Sequence, residues 1–215
     1  MKDHYDCIVV GGGPAGSTVA TFVAVSGFST LLVEREKMPR FHVGESLMPE
    51  TYWTFRRLGV LEKMKSSRFV RKLSVQFVSS NGAESQPFFF DKHDPRESSR
   101  TWQVERAEFD HMLFQHARER GADCRDETRV QEILFDGERA VGVRLQHASG
   151  TSRDVAAKVV VDATGQQAML ANRLGLRVEN PKLRKAAIWG YYRAARRDPG
   201  DHGGATVILH TQTKP

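Results

Sequence analysis

Three features of the sequence predict an α/β fold built on a parallel sheet: an apolar run that stops at a glycine cluster, a stretch of small and apolar residues after it, and a second apolar run ending in an acid. Residues 5–10 read as an interior strand, because Cys7, Ile8, Val9 and Val10 are apolar without alternation, the pattern of a strand covered on both faces. Gly11-Gly12-Gly13-Pro14-Ala15-Gly16 follows and contains G-x-G-x-x-G, and residues 15–25 then suit a tightly packed helix. Thr30-Leu31-Leu32-Val33 is the second strand, and Glu34 ends it.

Each part of this segment has a physical task in a Rossmann-like nucleotide-binding unit. Gly11 permits the tight turn, Gly13 lets a pyrophosphate approach the backbone, and Gly16 lets the helix press on the strand. Pro14 and Ala15 open a helix whose leading amides and partial positive charge favour a phosphate, and the Ser17 hydroxyl is available in the first turn. Glu34 stands where a carboxylate accepts hydrogen bonds from the adenosine ribose. A glycine turn followed by a surface glutamate is the bland alternative, and the order strand, loop, helix, strand, acid argues against it. Nothing in these residues separates FAD from NAD.

The remaining elements follow from periodicity. Residues 49–65 read as helical. Phe69, Leu73, Val75 and Phe77 alternate with Lys72, Ser74 and Gln76, which predicts a half-exposed strand with the polar set facing water. Asn81-Gly82 signals a turn, and residues 88–90 and 101–104 read as strands on either side of a charged loop. Residues 107–120 form an amphipathic helix stopped by Gly121. Three strands follow at 129–135, 140–145 and 154–161, with turns at Asp136-Gly137 and Ser149-Gly150. A short helix at 167–174 and a strand at 187–192 complete the reading. The expected division is a discontinuous nucleotide-binding domain, 1–66 with 103–178, and a partial second sheet, 67–102 with 179–215.

Composition narrows the function classes. The 215 residues include 32 basic and 26 acidic ones, a net charge of +6 spread singly or in pairs such as Arg71-Lys72 and Arg196-Arg197. No basic run interleaved with aromatics occurs, so nucleic acid is not an expected partner. Two cysteines, Cys7 and Cys124, exclude a disulfide framework, and Cys7 in its apolar strand reads as a small buried thiol. The N-terminus has no apolar stretch for a signal peptide or membrane span, which predicts a soluble cytoplasmic protein. His111 and His116 are five apart and share no helix face, and His202 and His210 lack ligand companions, so no metal is expected.

The stretch from Glu34-Arg35-Glu36-Lys37 through Met38-Pro39-Arg40-Phe41-His42-Val43-Gly44-Glu45-Ser46-Leu47-Met48-Pro49 resembles the flavin-dependent halogenases, which share their fold with aromatic hydroxylases and geranylgeranyl reductases. Gln103-Val104-Glu105-Arg106-Ala107-Glu108-Phe109-Asp110 and Val161-Asp162-Ala163-Thr164-Gly165 resemble two further segments of that family. The resemblance runs from Tyr5 to about His210. It implies an α/β fold of the two-dinucleotide, aromatic-hydroxylase type, an FAD-binding Rossmann-like parallel sheet with an inserted, mostly antiparallel substrate-side sheet. It also implies that FAD is the cofactor. Gly44, Glu45 and Ser46 are then flavin neighbours, and Arg35, Arg40, Gln103, Arg106, Val130, Asp162 and Gly165 join the loop residues and Glu34 as cofactor-binding candidates. Alone, residues 44–49 also read as a loop with a capping serine before a helix, and Asp-Ala-Thr-Gly as a common turn.

Phe69-Val70-Arg71-Lys72 resembles the family segment that carries an active-site lysine, and the resemblance makes Lys72 catalytic. In the mechanism it implies, a separate flavin reductase supplies reduced FAD, which with oxygen turns halide into hypohalous acid, and the lysine holds that species for an electron-rich aromatic or pyrrole-type substrate, free or tethered to a carrier protein. On composition alone Lys72 is a surface lysine on the polar side of a strand. The family's Trp-x-Trp-x-Ile-Pro segment and its later Gly-Asp motif do not occur, and both are expected after Pro215. The chain stops in what reads as the middle of a strand pair, so the sequence predicts a C-terminally truncated protein or fragment. Three readings stay open: a halogenase, a hydroxylase or polyprenyl reductase of the same fold, and an FAD-binding fragment without turnover.

Overall fold

A computed structural model describes residues 1–147, 150–183, 186–195 and 197–211. In chain order the elements are β1 (His4–Val10), α1 (Pro14–Val25), β2 (Thr30–Val33), α2 (Thr51–Leu58), α3 (Leu61–Lys65), β3 (Val70–Lys72), β4 (Ser74–Val78), β5 (Phe88–Phe89), α4 (Phe90–His93), β6 (Thr101–Gln103), α5 (Arg106–Glu119), β7 (Asp123–Arg125), β8 (Thr128–Asp136), β9 (Arg139–His147), β10 (Ser152–Asp162), α6 (Met169–Arg173) and β11 (Thr206–Leu209). They divide into two compact units, Met1–His42 with Arg106–Arg184 and Val43–Glu105 with Lys185–Pro215. The sequence division placed residues 43–66 and 103–105 with the nucleotide-binding part; the structure groups them with the second unit.

The first unit carries a six-stranded sheet in the order β7-β2-β1-β10-β9-β8. β1 pairs in parallel with β2 and β10, and β2 with β7, while β8, β9 and β10 form an antiparallel meander. The unbroken apolar run of β1 is explained by cover on both faces. Ile8 and Val10 join Leu31 and Val33 in one core with Val130, Ile133, Val143, Leu145 and Val155 of the meander. Cys7, Val9 and Leu32 form the opposite core with Ala20 of α1 and Phe114 and Ala117 of α5. Phe114 and Leu32 are completely buried, and each such side chain contributes about 1.5–3 kcal/mol. β7 has no counterpart in the sequence reading, since three residues between a glycine stop and a turn leave no period to recognise. Ser149 of the predicted Ser149-Gly150 turn, Arg196 and residues 212–215 lie outside the described residues.

The second unit holds a three-stranded sheet, β11-β4-β5, and a two-stranded one, β3-β6. β4 pairs antiparallel with β5 and parallel with β11, and β3 pairs antiparallel with β6. The expected helix 49–65 is two helices, because Gly59 takes φ 78° and caps α2 in the left-handed region. The expected strand at 187–192 does not form, and Thr206–Leu209 supplies the third strand of the sheet instead. Among the described residues the 187–192 segment joins no strand ladder, and Ile188, Trp189, Tyr191 and Tyr192 are exposed. The expected facing of residues 69–77 fails at three positions, while Phe69, Leu73, Val75 and Gln76 are half-buried. Lys72 and Ser74 are buried and Phe77 is exposed, because the chain changes partners at Leu73, from β6 to β5 and β11. Among the described residues no helix is long and apolar enough to cross a membrane.

Candidate functional site

A groove of about 210 Å³ opens in the first unit where β1 and β2 end and α1 begins. Gly11, Gly13, Pro14, Ala15, Glu34, Arg35, Arg40, Arg106, Val130 and Gly165 line it, so the structure brings ten of the predicted residues to one place. The glycines are not equivalent. A Cβ on Gly16 would lie 1.9 Å from the Gly11 carbonyl oxygen, and one on Gly11, at φ +108°, would lie 2.4 Å from the Ala163 oxygen. Both therefore allow backbone to touch backbone. A Cβ on Gly13 meets only Arg40 Nη2, at 3.5 Å, so that glycine keeps open the space in front of the α1 N-terminus. The leading amides of α1 have no intrahelical acceptor, and Pro14 at the first turn sacrifices none that the helix needs.

Glu34 is held firmly at its strand end. The Gly12 amide donates to its Oε2 at 3.0 Å, the Glu36 amide to its Oε1 at 3.1 Å, and Arg40 Nε lies 3.2 Å from Oε2. Gly12 has room for no side chain here, since its Cβ would stand 2.8 Å from Glu34 Cβ. Arg40 also donates through Nη1 to Asp110 Oδ2 at 3.0 Å, and Arg106 grips the same carboxylate twice, at 2.8 and 2.9 Å. Asp110 is fully buried. Burial opposes the Arg40 charge, but the neighbouring Glu34 and Asp110 outweigh it and hold the guanidinium above the ordinary arginine value. Two cations are thus fixed at the groove, Arg106 by Asp110 and Arg40 by both Asp110 and Glu34. The sequence motif assigns Asp110 no role, yet its spacing of four from Arg106 on a helix is a legible signal of this pair.

Two candidates face away from the groove. The Ser17 hydroxyl donates to the Gly12 carbonyl at 3.2 Å and the residue is buried, so it closes the loop from behind. Asp162 accepts from the Thr164 amide and hydroxyl at 3.0 and 2.6 Å and from the Leu170 amide at 2.8 Å, which shapes the turn that carries Ala163, Thr164 and Gly165 to the groove. Burial pushes this carboxyl up, and those three donors outweigh it, leaving it below the ordinary aspartate value.

Gly44, Glu45, Ser46, Gln103 and Lys72 belong to the second unit. There Ser46 bridges to Gln103 in antiparallel fashion and the Val104 amide donates to the Glu45 carbonyl at 2.7 Å, so residues 44–46 are strapped to the edge of β6. Glu45 accepts from the Gly44 amide at 3.0 Å and from the Tyr191 hydroxyl at 2.8 Å, and that bond raises the Tyr191 phenol above its usual value. Gln103 Nε2 donates to Thr206 Oγ1 at 2.9 Å. Lys72 is 5% exposed, donates from Nζ to the Leu47 carbonyl at 3.1 Å, and lies 5.7 Å from the Phe90 ring centre. Burial alone pushes its ammonium below the usual lysine value. Among the described residues no three His, Cys, Asp or Glu side chains are placed to hold a metal ion.

An open glycine, a helix N-terminus, two fixed guanidiniums and a strand-end carboxylate gathered at one groove are the features of a dinucleotide-binding α/β protein. The chain belongs to the FAD binding domain family, which it matches over residues 4–202, and FAD is its cofactor. It is 33% identical over 211 residues to the 1H-pyrrole-2-carbonyl-[peptidyl-carrier protein] chlorinase of Pseudomonas fluorescens, covering 89% of this chain and 46% of that protein. Against the flavin-dependent halogenase armH3 of Armillaria mellea it is 34% identical over 196 residues, 89% of this chain and 38% of the relative. Among solved structures, a triple mutant of the flavin-dependent brominase Bmp2 superposes with a TM-score of 0.78 at 31% identity, over 97% of this chain and 51% of that one. The myxobacterial chondrochloren halogenase CndH gives 0.72 at 40% identity, over 77% and 38%. The chain spans about half or less of the length of these relatives.

Proposed function

We propose that the protein is an FAD-dependent halogenase that uses reduced FAD, oxygen and halide to halogenate an electron-rich aromatic or pyrrole-type substrate, with Lys72 as its catalytic residue. The observation that carries this reading is the burial of Lys72. A lysine on a strand that pattern assigns to solvent is instead enclosed, anchored by one carbonyl and depressed toward its neutral form. Reduced FAD, when held in the first unit, would supply two electrons that with the two given up by halide account for the reduction of dioxygen to two waters. A neutral Lys72 amine takes the halogen from hypohalous acid, forming an N–halogen bond and releasing water. It then passes the halogen to a ring carbon, which gives up its proton. In the first unit, Arg40, Arg106 and the α1 N-terminus neutralise the diphosphate, and Glu34 orients the adenosine ribose. The similarity to a chlorinase named for a carrier-bound pyrrole supports a carrier-tethered substrate; a separate flavin reductase as electron source and a cytoplasmic setting complete the proposal.

Lys72→Ala tests the reading. With reduced FAD, oxygen, bromide and a pool of pyrrole and phenol substrates, the variant is expected to bind and reoxidise flavin as the parent does and to form no brominated product. Product formation at the parent's rate would return Lys72 to a packing role.

A further inference from the structure

The groove of the first unit has a wall on each side of β1. The end of β2 supplies Glu34 and Arg35 to one wall and the turn after β10 supplies Thr164, Gly165 and Gln167 to the other, because β1 lies between β2 and β10 in the sheet. The two walls meet at one point. Arg35 Nη1 donates to Gln167 Oε1 at 3.1 Å, joining residues 132 positions apart. The bond therefore crosses the crevice at the carboxyl ends of the parallel strands, where a sheet of this kind takes its nucleotide.

Two observations give Gln167 a purpose there. Its turn is held against a local preference, since Ala168 takes φ 44° and ψ 53°, the left-handed region that disfavours a residue with a Cβ. Neighbouring bonds keep it so: the Ala168 amide donates to the Gly165 carbonyl at 3.1 Å, the Met169 amide to Thr164 Oγ1 at 3.2 Å, and Asn172 Nδ2 to the Gln167 carbonyl at 2.8 Å. Strain maintained by its surroundings marks a placed residue, and the side chain that this turn places at the groove is Gln167. The second observation is the state of the guanidinium. Arg35 Nη2 donates to Glu36 Oε1 at 3.4 Å, so both terminal nitrogens are engaged. Guanidinium hydrogen bonds lie in the plane of the group, which leaves its flat face for a ligand, and such faces stack on aromatic rings. Glu34, the preceding residue, orients the ribose, so the base on that ribose comes to Arg35.

We propose that Gln167 is a positioning residue for the adenine of the bound dinucleotide: it fixes the plane of Arg35 across the crevice and so makes the guanidinium a stacking surface for the base. This role rests on the nucleotide groove and holds whatever reaction the flavin serves. The test is isothermal titration of the purified chain with ADP and, separately, with inorganic pyrophosphate, which carries two phosphates and no base. Gln167→Leu keeps the bulk and removes the acceptor; the residue is exposed, so thermal unfolding should match the parent. ADP affinity should fall about two- to fivefold, the scale of an exposed guanidinium–ring contact, with pyrophosphate affinity unchanged. Arg35→Leu should weaken ADP at least as much, and adding Gln167→Leu to it should cost nothing more, because Gln167 acts through Arg35. Unchanged ADP affinity in Gln167→Leu, equal losses for ADP and pyrophosphate, or a further loss in the double variant overturns the proposal. A parent chain that binds neither probe would overturn the groove assignment itself.

Discussion

Gly13 and Gly16 belong to one sequence motif, yet the structure predicts opposite consequences for substituting them. Gly16→Ala sets a methyl 1.9 Å from the Gly11 carbonyl oxygen, where ordinary contact begins near 3.4 Å, so α1 must move off β1 by more than an ångström. Overpacking of this kind costs about 1–3 kcal/mol. In a protein of this size that lowers Tm by roughly 2–4 °C per kcal/mol, or about 2–12 °C. Gly13→Val places its branch in open space beside Arg40 Nη2, at a backbone angle any residue adopts (φ −74°), so stability should change by no more than about 0.5 kcal/mol. The same branch occupies the path of the diphosphate, and FAD affinity should fall at least about a hundredfold, roughly 2.7 kcal/mol. Thermal unfolding of the flavin-free variants and titration of each with FAD, followed by quenching of flavin fluorescence, separate the two effects. Gly13→Val binding FAD like the parent, or Gly16→Ala melting with it, would refute this assignment of roles.

Asp110→Asn should cost about 3–5 kcal/mol in urea unfolding, because a fully buried carboxylate paired with two guanidiniums is lost, and ADP affinity should fall as Arg106 loses its anchor and Arg40 keeps only Glu34. A small effect on both would make the carboxylate incidental. Asp162 has a depressed carboxyl, so its contribution is full above the ordinary aspartate value and is lost as pH falls through the folded one. The stability gap between the parent and Asp162→Ala, measured by urea unfolding, should therefore narrow on acidification below about pH 4, and a gap that stays constant would contradict the hydrogen bonds drawn here. Cys7 and Cys124 are buried, the latter pushed up to about 12 by burial, so neither should react with a thiol-specific disulfide reagent until the chain is unfolded. Fast modification of the native protein would show that this core opens.

The sequence alone determined the parallel start of the fold and the floor of its groove. An apolar strand, a glycine loop and a strand-end acid are local in the chain, and each carries its reason in its own residue type: Gly11 for a positive φ, Gly13 for open space, Glu34 for an acceptor at a strand end. The tertiary structure decided what depends on partners far along the chain. Alternation at residues 69–77 gives the period of a strand and not which side is covered, so only the exchange of partners at Leu73 could reveal that Lys72 and Ser74 are inside. Likewise Ser17 and Asp162 bear the right groups at the right loops, but a side chain's direction is set by which donors and acceptors fold against it. For Ser17 it was the Gly12 carbonyl of the loop itself; for Asp162, the amide and hydroxyl of Thr164 and the Leu170 amide of α6.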